Sequence, residues 1–338
     1  MKTLLSILLF TIILWMVPGT VTAKKLAELP EVFKGYQIAM DNENLYVSEK
    51  ADIFVYSRKD YKLKHKFGKK GEGPQEIMPV QHLGVMLFPQ KDNRLYVNAT
   101  GKTLIFTKDG KFLKEISTKV NFGNLPLYQP IGPNFAGLGM AFDAKERKAF
   151  ITFNIYDEKM KSIKELGRQP FNVIKISFPL DLPSIAVSDN KIVHPVAGGF
   201  RLNVYDAHGK LLTTIKRDEK KLKVTDAYKK GLHTFMKRTL GGQYEAVKQR
   251  LSFKEYSPPI QYFYVDNSKI YIMTFVYEKG KAEFFVYSLT GKFIKRTMIP
   301  FTFIDGFQPG PAAVKNNTLY QLVENEETET IELHSHRF

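Results

Sequence analysis

Hydrophobic and polar positions alternate over short stretches of this chain, and one such stretch returns six times. Each copy is an extended apolar segment, then a polar turn and a basic amphipathic strand. The equivalent positions at the end of the apolar segment are Tyr56, Phe106, Tyr156, Tyr205, Tyr287 and His334. Their spacings are 50, 50, 49, 82 and 47 residues. A nearly constant period built from short strands predicts a β-propeller.

Each full copy divides into four short strands separated by polar turns. In the first copy the alternating stretches are Gln37–Met40, Asn44–Ser48, Ile53–Ser57 and Leu63–Phe67. Asp109-Gly110 and Thr290-Gly291 are hairpin turns at matching places in the second and fifth copies. Four antiparallel strands form one propeller blade, so we predict an all-β, six-bladed β-propeller as a single domain over 24–338.

The sixth copy is too short for four strands, because its third strand runs almost to the C-terminus at Phe338. A closed ring then needs a strand from elsewhere in the chain to cover the open edge. Residues 26–34 precede the first full blade, and we predict that they supply this ring-closing strand.

The long interval between the fourth and fifth copies contains an insertion at 218–256. Apolar residues recur there at helical spacing, at Tyr228, Leu232 and Phe235 and again at Tyr244 and Val247. Gly241-Gly242 would divide the segment into two helices. We predict a helical insertion between blades 4 and 5. It is either a hairpin that only packs on the ring, or a lid or docking surface near the channel mouth.

The first 23 residues have the pattern of a secretory signal peptide. Lys2 supplies positive charge, residues 4–17 are apolar, and Val21-Thr22-Ala23 fits a small-x-small cleavage site. The alternative is a retained membrane anchor, although the apolar run is short for a span of about 20 residues. We expect an exported protein, periplasmic or extracellular, that does not span the membrane after signal removal. The chain has no cysteine, which excludes disulfides, thiol catalysis and a lipid-modified cysteine.

The chain is basic, with 50 Lys and Arg against 34 Asp and Glu and a formal charge of +16. Such a charge favours anionic partners, among them acidic polysaccharides, phospholipid head groups and nucleic acid. Many lysines fall in the last strand of a copy, for example Lys62, Lys64 and Lys66, where a solvated edge strand also carries them. We favour the solvated strand over a dedicated polyanion site, and expect no nucleic-acid partner.

One loop and its surroundings resemble a known group of proteins. The stretch FGKKGEGPQE at 67–76, followed by Pro79, resembles NHL-type repeats. Together with NFAGLGMAF at 134–142, it makes the chain similar to the secreted six-bladed propeller proteins common in Bacteroidota. The resemblance covers nearly the whole chain after residue 23. It implies the fold and export, and no established reaction.

The glycines of the same loop raise the question of a phosphate site. The loop lacks the GK[ST] ending of a P-loop and does not lead into a helix. We therefore favour a structural role, in which the glycines allow tight turns and Glu76 accepts backbone N–H bonds.

Seven histidines are the only strong candidates for metal ligands. A propeller lactonase or amidating lyase would need ligands that converge on the central channel from several blades. His82 and His194 lie near predicted inner strands and form the one credible pair. We predict no resident cofactor, and keep a divalent metal in the channel as the alternative.

The favoured function is an exported, monomeric, non-catalytic binding propeller that presents a disc face or channel mouth to a protein or glycan. The alternative is a metal-dependent propeller hydrolase or lyase. A third hypothesis is adhesion to anionic surfaces through Lys229, Lys230, Lys237 and Arg238 of the insertion. The predicted ligand-binding residues are Lys69, Lys70, Glu72, Gln75, His82, His194, Arg201 and Asp305.

Overall fold

A computed structural model describes residues 24–80, 84–118, 127–145, 147–171, 176–181, 183–304 and 308–338. Strand β1 (Lys24–Glu28) begins this part of the chain. Blade 1 consists of β2 (Gln37–Met40), β3 (Asn44–Glu49), β4 (Asp52–Ser57) and β5 (Leu63–Phe67). Blade 2 consists of β6 (Met86–Pro89), β7 (Arg94–Ala99), β8 (Lys102–Thr107) and β9 (Phe112–Ser117).

The next two blades enclose a short extra strand. Blade 3 consists of β10 (Tyr128–Ile131), β11 (Asn134–Asp143), β12 (Lys148–Tyr156) and β13 (Ser162–Phe171). Strand β14 (Ile176–Phe178) lies in the connection to blade 4. Blade 4 consists of β15 (Ala186–Ser188), β16 (Lys191–Pro195), β17 (Phe200–Asp206) and β18 (Leu211–Arg217).

The helical insertion follows blade 4. It contains α1 (Asp226–Leu240), a 3-10 turn (Gly241–Gln243), α2 (Tyr244–Lys248) and β19 (Leu251–Phe253). Blade 5 consists of β20 (Tyr262–Asp266), β21 (Lys269–Glu278), β22 (Lys281–Ser288) and β23 (Phe293–Pro300). A small hairpin, β24 (Phe303–Ile304) with β25 (Gln308–Pro309), precedes the last blade. Three strands of blade 6 follow in the C-terminal part of the described chain: β26 (Ala312–Lys315), β27 (Thr318–Asn325) and β28 (Thr330–Arg337).

These sheets confirm the predicted architecture, a six-bladed propeller of four-stranded antiparallel blades with a helical insertion between blades 4 and 5. Blades 1 to 5 are ordered by sequence from the inside outward, and blade 6 runs from β26 through β27 and β28 to β1 on the outside. The first strands of neighbouring blades lie side by side around the channel, as β26, β2 and β6 do on one side of the ring. The channel is therefore lined by six short first strands.

Blade 6 is completed by the start of the described chain. Strand β1 pairs antiparallel with β28, from Lys24 opposite Ser335 to Glu28 opposite Glu332. The strand begins earlier and ends sooner than the expected 26–34. The chain turns at Leu29, where the Val32 N–H donates to the Leu29 carbonyl (3.0 Å), and Pro30 lies in this turn. Proline has no N–H to continue a ladder, so the strand cannot extend through it.

The hydrophobic core is divided among the six interfaces between blades. Side chains of each sheet alternate between the two neighbouring blades, so every interface receives one cluster from each side. Ile53 and Leu95 meet between blades 1 and 2, and Phe200 and Phe285 meet between blades 4 and 5. Equivalent clusters fill the remaining four interfaces. The blades are therefore held together by apolar contact all round the ring.

The topology gives the disc two different faces. The connections between consecutive blades and the turns between second and third strands lie on one face, which we name the crossing face. The turns between first and second strands and between third and fourth strands lie on the opposite face, which we name the turn face. The insertion belongs to the crossing face, because it is part of the connection from blade 4 to blade 5.

Candidate functional site

Four of the predicted ligand-binding residues lie in the connection from blade 1 to blade 2. Lys69 pairs with Glu76 (Nζ–Oε1 2.6 Å), and Glu72 and Gln75 are exposed beside them. The amino group of Lys102 on β8 reaches into this loop and donates to the carbonyl of Gly73 (2.7 Å). The loop is thus folded down on blade 2, and Lys102 is buried beneath it.

The interior of this glycine loop is filled by the side chain of Glu76. Its Oε2 accepts from the backbone N–H of Gly73 (3.0 Å), and a Cβ at Gly71 would overlap with the same carboxylate. The hydrogen bond from Lys69 and the one from the Gly73 N–H both hold the pKa of Glu76 below its usual value. A phosphate entering the loop would meet this ionised carboxylate. The predicted structural role of Glu76 agrees with these bonds.

His194 lies inside the interface between blades 3 and 4. Its ring stacks on Phe153 (centroids 4.2 Å apart) and on Tyr205 (5.4 Å). Nδ1 lies 2.9 Å from the Pro195 carbonyl, and Nε2 faces Gly167 without a hydrogen-bond partner among the described residues. Burial lowers the pKa of His194 to about 4, so the ring is neutral at physiological pH. The side chain is a core member of the ring.

The structure does not bring the loop of blade 1 and His194 together, and the remaining predicted residues do not connect them. Arg201 is exposed on β17, in the same hairpin as His194, and its carbonyl accepts from the Val196 N–H (2.9 Å). Lys70 is exposed in the loop of blade 1, and in a six-membered ring blades 1 and 4 are opposite each other. His82 and Asp305 lie outside the described residues.

A small cavity of about 30 Å³ opens on the crossing face where the connections of blades 3, 4 and 5 meet. Gln169 at its edge donates to the Asp181 carbonyl (3.3 Å), and Lys254 pairs with the Asp181 carboxylate (2.6 Å). Pro258 and Pro259 form part of its wall. A volume of this size holds about one water molecule. The crossing face therefore offers a shallow surface here.

The insertion forms a small module with a core of its own. Strand β19 pairs in parallel with β14, so the connections that precede and follow blade 4 are joined. His233 of α1 lies against Phe253 (5.4 Å) and shares a hydrogen bond with the hydroxyl of Tyr244 (2.9 Å). Leu232 is the one fully buried residue of α1. The opposite side of α1 exposes Lys230 and Lys237.

Large apolar side chains are exposed on the crossing face. Phe33, in the connection from blade 6 to blade 1, is 85% exposed. The carboxylate of Glu49, which is buried, accepts from the backbone N–H groups of Phe33 (3.1 Å) and Lys34 (2.7 Å). These bonds fix the backbone that carries the aromatic ring. Six more exposed apolar residues lie on this face: Met140, Phe142, Phe171, Leu180, Tyr277 and Ile304.

Three of these residues belong to one extended sheet of blade 3. Strands β11 and β12 continue beyond the ring, and the register places Phe142 opposite Ala149 and Ala149 opposite Phe171. Directly opposed residues in an antiparallel sheet point to the same side. The row continues through Met140 and Ile151 toward the core. Blade 3 thus presents an apolar strip on its side toward blade 4.

This apolar surface was not predicted from the sequence. Exposed and buried aromatic residues look the same in an alternating pattern, and only the length of β11 and β12 shows that Phe142 lies outside the ring. The signal available for Phe33 was its place between Pro30 and Gly35, two residues that favour turns over a continuous strand. Across the described ranges, no group of three or more His, Asp or Glu side chains could hold a metal ion. None of the helices in the described residues is long and apolar enough to span a bilayer.

Comparison with known proteins gives likeness at the level of the fold. No family model and no curated protein matches the chain. A member of the DUF4221 family from Bacteroides vulgatus is 12% identical over 93% of this chain and 95% of its own, with a TM-score of 0.49. A luciferin-regenerating enzyme is 14% identical over 94% and 95% (TM-score 0.47), and BamB from Moraxella catarrhalis is 10% identical over 94% and 98% (TM-score 0.40). The chain is a six-bladed β-propeller.

Proposed function

We propose that this protein is an exported, NHL-like, non-catalytic propeller that binds a partner protein on its crossing face. The observation that carries the proposal is the set of seven large apolar side chains exposed on that face within the described residues. Met140, Phe142 and Phe171 lie together on one side of the blade 3 sheet, and a contiguous exposed apolar patch marks an interaction site. Export is inferred from the signal pattern of residues 1–23.

A protein surface suits this face better than a small molecule. The cavity beside Asp181 holds about one water, and the larger hollow of about 460 Å³ beside Phe142 and Arg168 is wide open to solvent, whereas ligand pockets usually enclose most of the ligand surface. Phe33 and Phe142 instead stand out from the surface, in the manner of aromatic residues that insert into a partner. Glu49 holds the backbone of Phe33 in place, so little conformational entropy is lost when the ring is buried.

The helical module adds positive charge to this face. Exposed Lys220, Lys223, Lys230 and Lys237 have no carboxylate partner in the described part of the chain. Positive charge beside apolar anchors favours a partner whose surface is acidic around an apolar centre. A charged rim mainly raises the rate of association and selects between partners.

The experiment is site-specific photocrosslinking in the source cells. A photoreactive amino acid replaces Phe33 or Phe142 on the crossing face, and in matched controls it replaces Leu113 or Ile163 on the turn face. We expect one discrete protein adduct from Phe33 and Phe142 and none of the same mass from the controls. Equal adducts from all four positions, or none from the crossing face, would contradict the proposal.

The identified partner then allows a quantitative measurement. Phe33→Ser should weaken its binding by roughly tenfold, in the range that a central aromatic anchor contributes. Replacement of 225–254 by Asn-Gly removes both helices together with Lys230 and Lys237, and the bond from the Val224 N–H to the Glu255 carbonyl (3.0 Å) shows that the two ends are adjacent. If the partner proves to be a glycan, this protein is still a binding propeller, but its ligand is a carbohydrate and not a protein.

Elemental analysis of the protein, purified from its native compartment, distinguishes a binding propeller from a metal-dependent enzyme. A stoichiometric divalent ion would favour a metal-dependent hydrolase or lyase and would direct attention to His82. Since His194 is stacked between Phe153 and Tyr205, it does not reach the channel in this structure. Lactone hydrolysis measured beside the metal content distinguishes a structural ion from a catalytic one.

A further inference from the structure

The outermost strands of all six blades begin with an exposed lysine. In β1 this residue is Lys24 itself, and in the other five blades the lysine stands one position before the strand. The set is Lys24, Lys62, Lys111, Lys161, Lys210 and Lys292. In blades 1 to 5 the outer strand starts at the turn between third and fourth strands, and in blade 6 Lys24 lies opposite Ser335 near the end of β28. All six lysines therefore lie at the edge of the turn face.

Four of these lysines are held by the same backbone bond. The N–H of Lys111 donates to the hydroxyl of Thr107 (2.9 Å), four residues earlier, and that of Lys292 donates to Ser288 (3.1 Å). In blades 3 and 4 the acceptor is an aspartate carboxylate, at 2.9 Å for Lys161 and 2.8 Å for Lys210. The turn geometry thus repeats from blade to blade and places each lysine at an equivalent height on the disc.

The edge of the turn face holds most of the net charge of the chain. We define the rim as residues 24–25, 58–64, 108–114, 157–164, 206–213, 289–295 and 337. These 40 residues contain 16 Lys or Arg and 5 Asp or Glu, a net charge of +11 out of +16 for the whole chain.

Other charges near the rim leave most of it uncompensated. The turns nearer the channel on the same face carry five residues of each sign. Lys108 pairs with Asp41 (2.9 Å) and Lys25 with Glu332 (2.7 Å), so two rim cations are neutralised by carboxylates. The rim is therefore a ring of positive charge on one side of a disc.

Exposed apolar residues lie between these lysines. Leu113, Ile163, Leu212 and Ile294 occupy the same position in their strands, two residues after the lysine, and are between 43% and 54% exposed. Leu211 and Phe293 are exposed beside them. Together they are all the large apolar residues exposed in the described chain outside the crossing face.

We propose that the rim of the turn face docks on anionic phospholipid bilayers. A flat surface can meet a ring of cations at several blades at once, and each lysine near an anionic membrane adds to the attraction. Leu113, Ile163, Leu212 and Ile294 enter the boundary between head groups and acyl chains. An acidic polysaccharide offers no apolar phase for these side chains, so the observations favour the bilayer. Lys24, the first described residue, lies at this same rim.

The first test uses a tryptophan as a reporter of insertion. The chain from Lys24 onward contains all six closed blades and has no tryptophan, since the single one is Trp15. Ile294→Trp is mixed with vesicles of phosphatidylcholine, with or without phosphatidylglycerol. We expect a blue shift of its emission with the anionic vesicles alone. Thr234→Trp, exposed on α1 at the crossing face, is the control and should not shift.

The second test separates charge from apolar contact. Reversal of Lys111, Lys161, Lys210 and Lys292 to Glu should weaken binding to the anionic vesicles by at least about a hundredfold. The matched control reverses four exposed lysines of the insertion, Lys220, Lys223, Lys230 and Lys237, and should keep most of the binding. Thermal unfolding of each variant verifies that the ring is intact.

A third test compares anionic vesicles with dextran sulfate, an acidic polysaccharide. Changing Leu113, Ile163, Leu212 and Ile294 to Ser should reduce vesicle binding about tenfold or more and leave binding to dextran sulfate unchanged. The proposal is overturned if the unaltered chain does not bind anionic vesicles, or if the rim and control reversals weaken binding equally. It is also overturned if the Ser variant binds vesicles as well as the parent, since the rim would then recognise charge alone.

Discussion

Single residues show how burial in the ring changes ordinary chemistry. His194 keeps one ring nitrogen bonded to the Pro195 carbonyl and buries the other without a partner. Its pKa is lowered to about 4 in the folded state, against an ordinary value near 6.5 in the unfolded chain. The unfolded state therefore binds the proton more tightly, and acid favours unfolding.

The stability of the protein should fall as the pH drops from about 6.5 toward 4. The loss from His194 alone is about 2 to 3 kcal/mol near the lower end, because each pKa unit corresponds to about 1.4 kcal/mol. Urea unfolding at a series of pH values measures it. His194→Phe should flatten this part of the curve. The same change at exposed His208 is the control, and an identical curve for parent and His194→Phe would contradict the assignment.

Lys102 is a second buried residue, and its hydrogen bonds attach the 68–76 loop to blade 2. Its amino group bonds the Gly73 carbonyl (2.7 Å) and approaches Glu115 on β9 (3.3 Å). Lys102→Met keeps the length of the side chain and removes these bonds, so we expect a loss of about 1 to 2 kcal/mol in unfolding free energy. Faster proteolysis within 68–76 should accompany the loss. Lys114→Met, exposed in the same blade, should change neither measurement.

Among the elements, the short strand β1 is the one that closes the ring. Its five residues cover the edge of β28 and place Leu26 and Ala27 against the cluster between blades 6 and 1. An uncovered sheet edge pairs readily with other chains. The strand therefore completes blade 6 and leaves β28 without an open edge.

Removal of residues up to Glu28 should expose β28. We expect a lower unfolding midpoint and dimers whose fraction rises with concentration, because two open edges can pair. Sedimentation velocity at several concentrations is the measurement. A chain that keeps the strand but carries Lys24→Ser and Lys25→Ser should stay monomeric; a truncated chain that also stays monomeric and equally stable would show that the ring closes without β1.

The sequence predicted the turns between strands more accurately than the bounds of the closing strand. The turn at Asp109-Gly110 was predicted, and the φ of +90° at Gly110 shows why glycine is needed there. The closing strand was placed too late, since the ladder ends before Pro30 and the apolar residues Leu29 and Val32 belong to a turn. Local pattern does not reveal which apolar residue follows a turn and which continues a strand.

The candidate site was harder to predict, for a physical reason. Sequence gives residue types, whereas a site depends on which side chains meet after the ring closes. His194 was chosen for its place on an inner strand, and neighbouring aromatic rings from blades 3 and 4 bury it. Phe33 was not chosen, because only the bonds from Glu49 show that its backbone is fixed.

At the scale of the whole molecule, aspartates in the turns nearest the channel link one blade to the next. Asp41 pairs with Lys108 of blade 2, and Asp189 accepts from the N–H of Ser268 in blade 5 (2.9 Å). Asp266 holds both the amino group of Lys315 (2.9 Å) and the N–H of Asn316 (2.7 Å) in blade 6. These bonds lie on the turn face, beside the apolar clusters.

Loss of one such link should weaken the whole ring. Asp266→Ala leaves the partly buried Lys315 without its partner, and we expect a loss of about 2 kcal/mol. Because neighbouring blades share their cores, the unfolding should remain a single transition at a lower midpoint. Calorimetry is the measurement, with Asp109→Ala in an exposed turn as the control. Two separated transitions would show that the blades unfold independently.

The pairing of β1 with β28 has a consequence for the time at which the protein can fold. Lys24 and its partner Ser335 are 335 − 24 = 311 residues apart, so the ribosome makes Ser335 long after Lys24. Blades 1 to 5 have all their strands from consecutive segments and can form as they emerge, as is usual for units made early. Blade 6 must wait for β28. A chain that stops before Thr330 leaves β1 without a partner, so the disc can close only after β28 has been made.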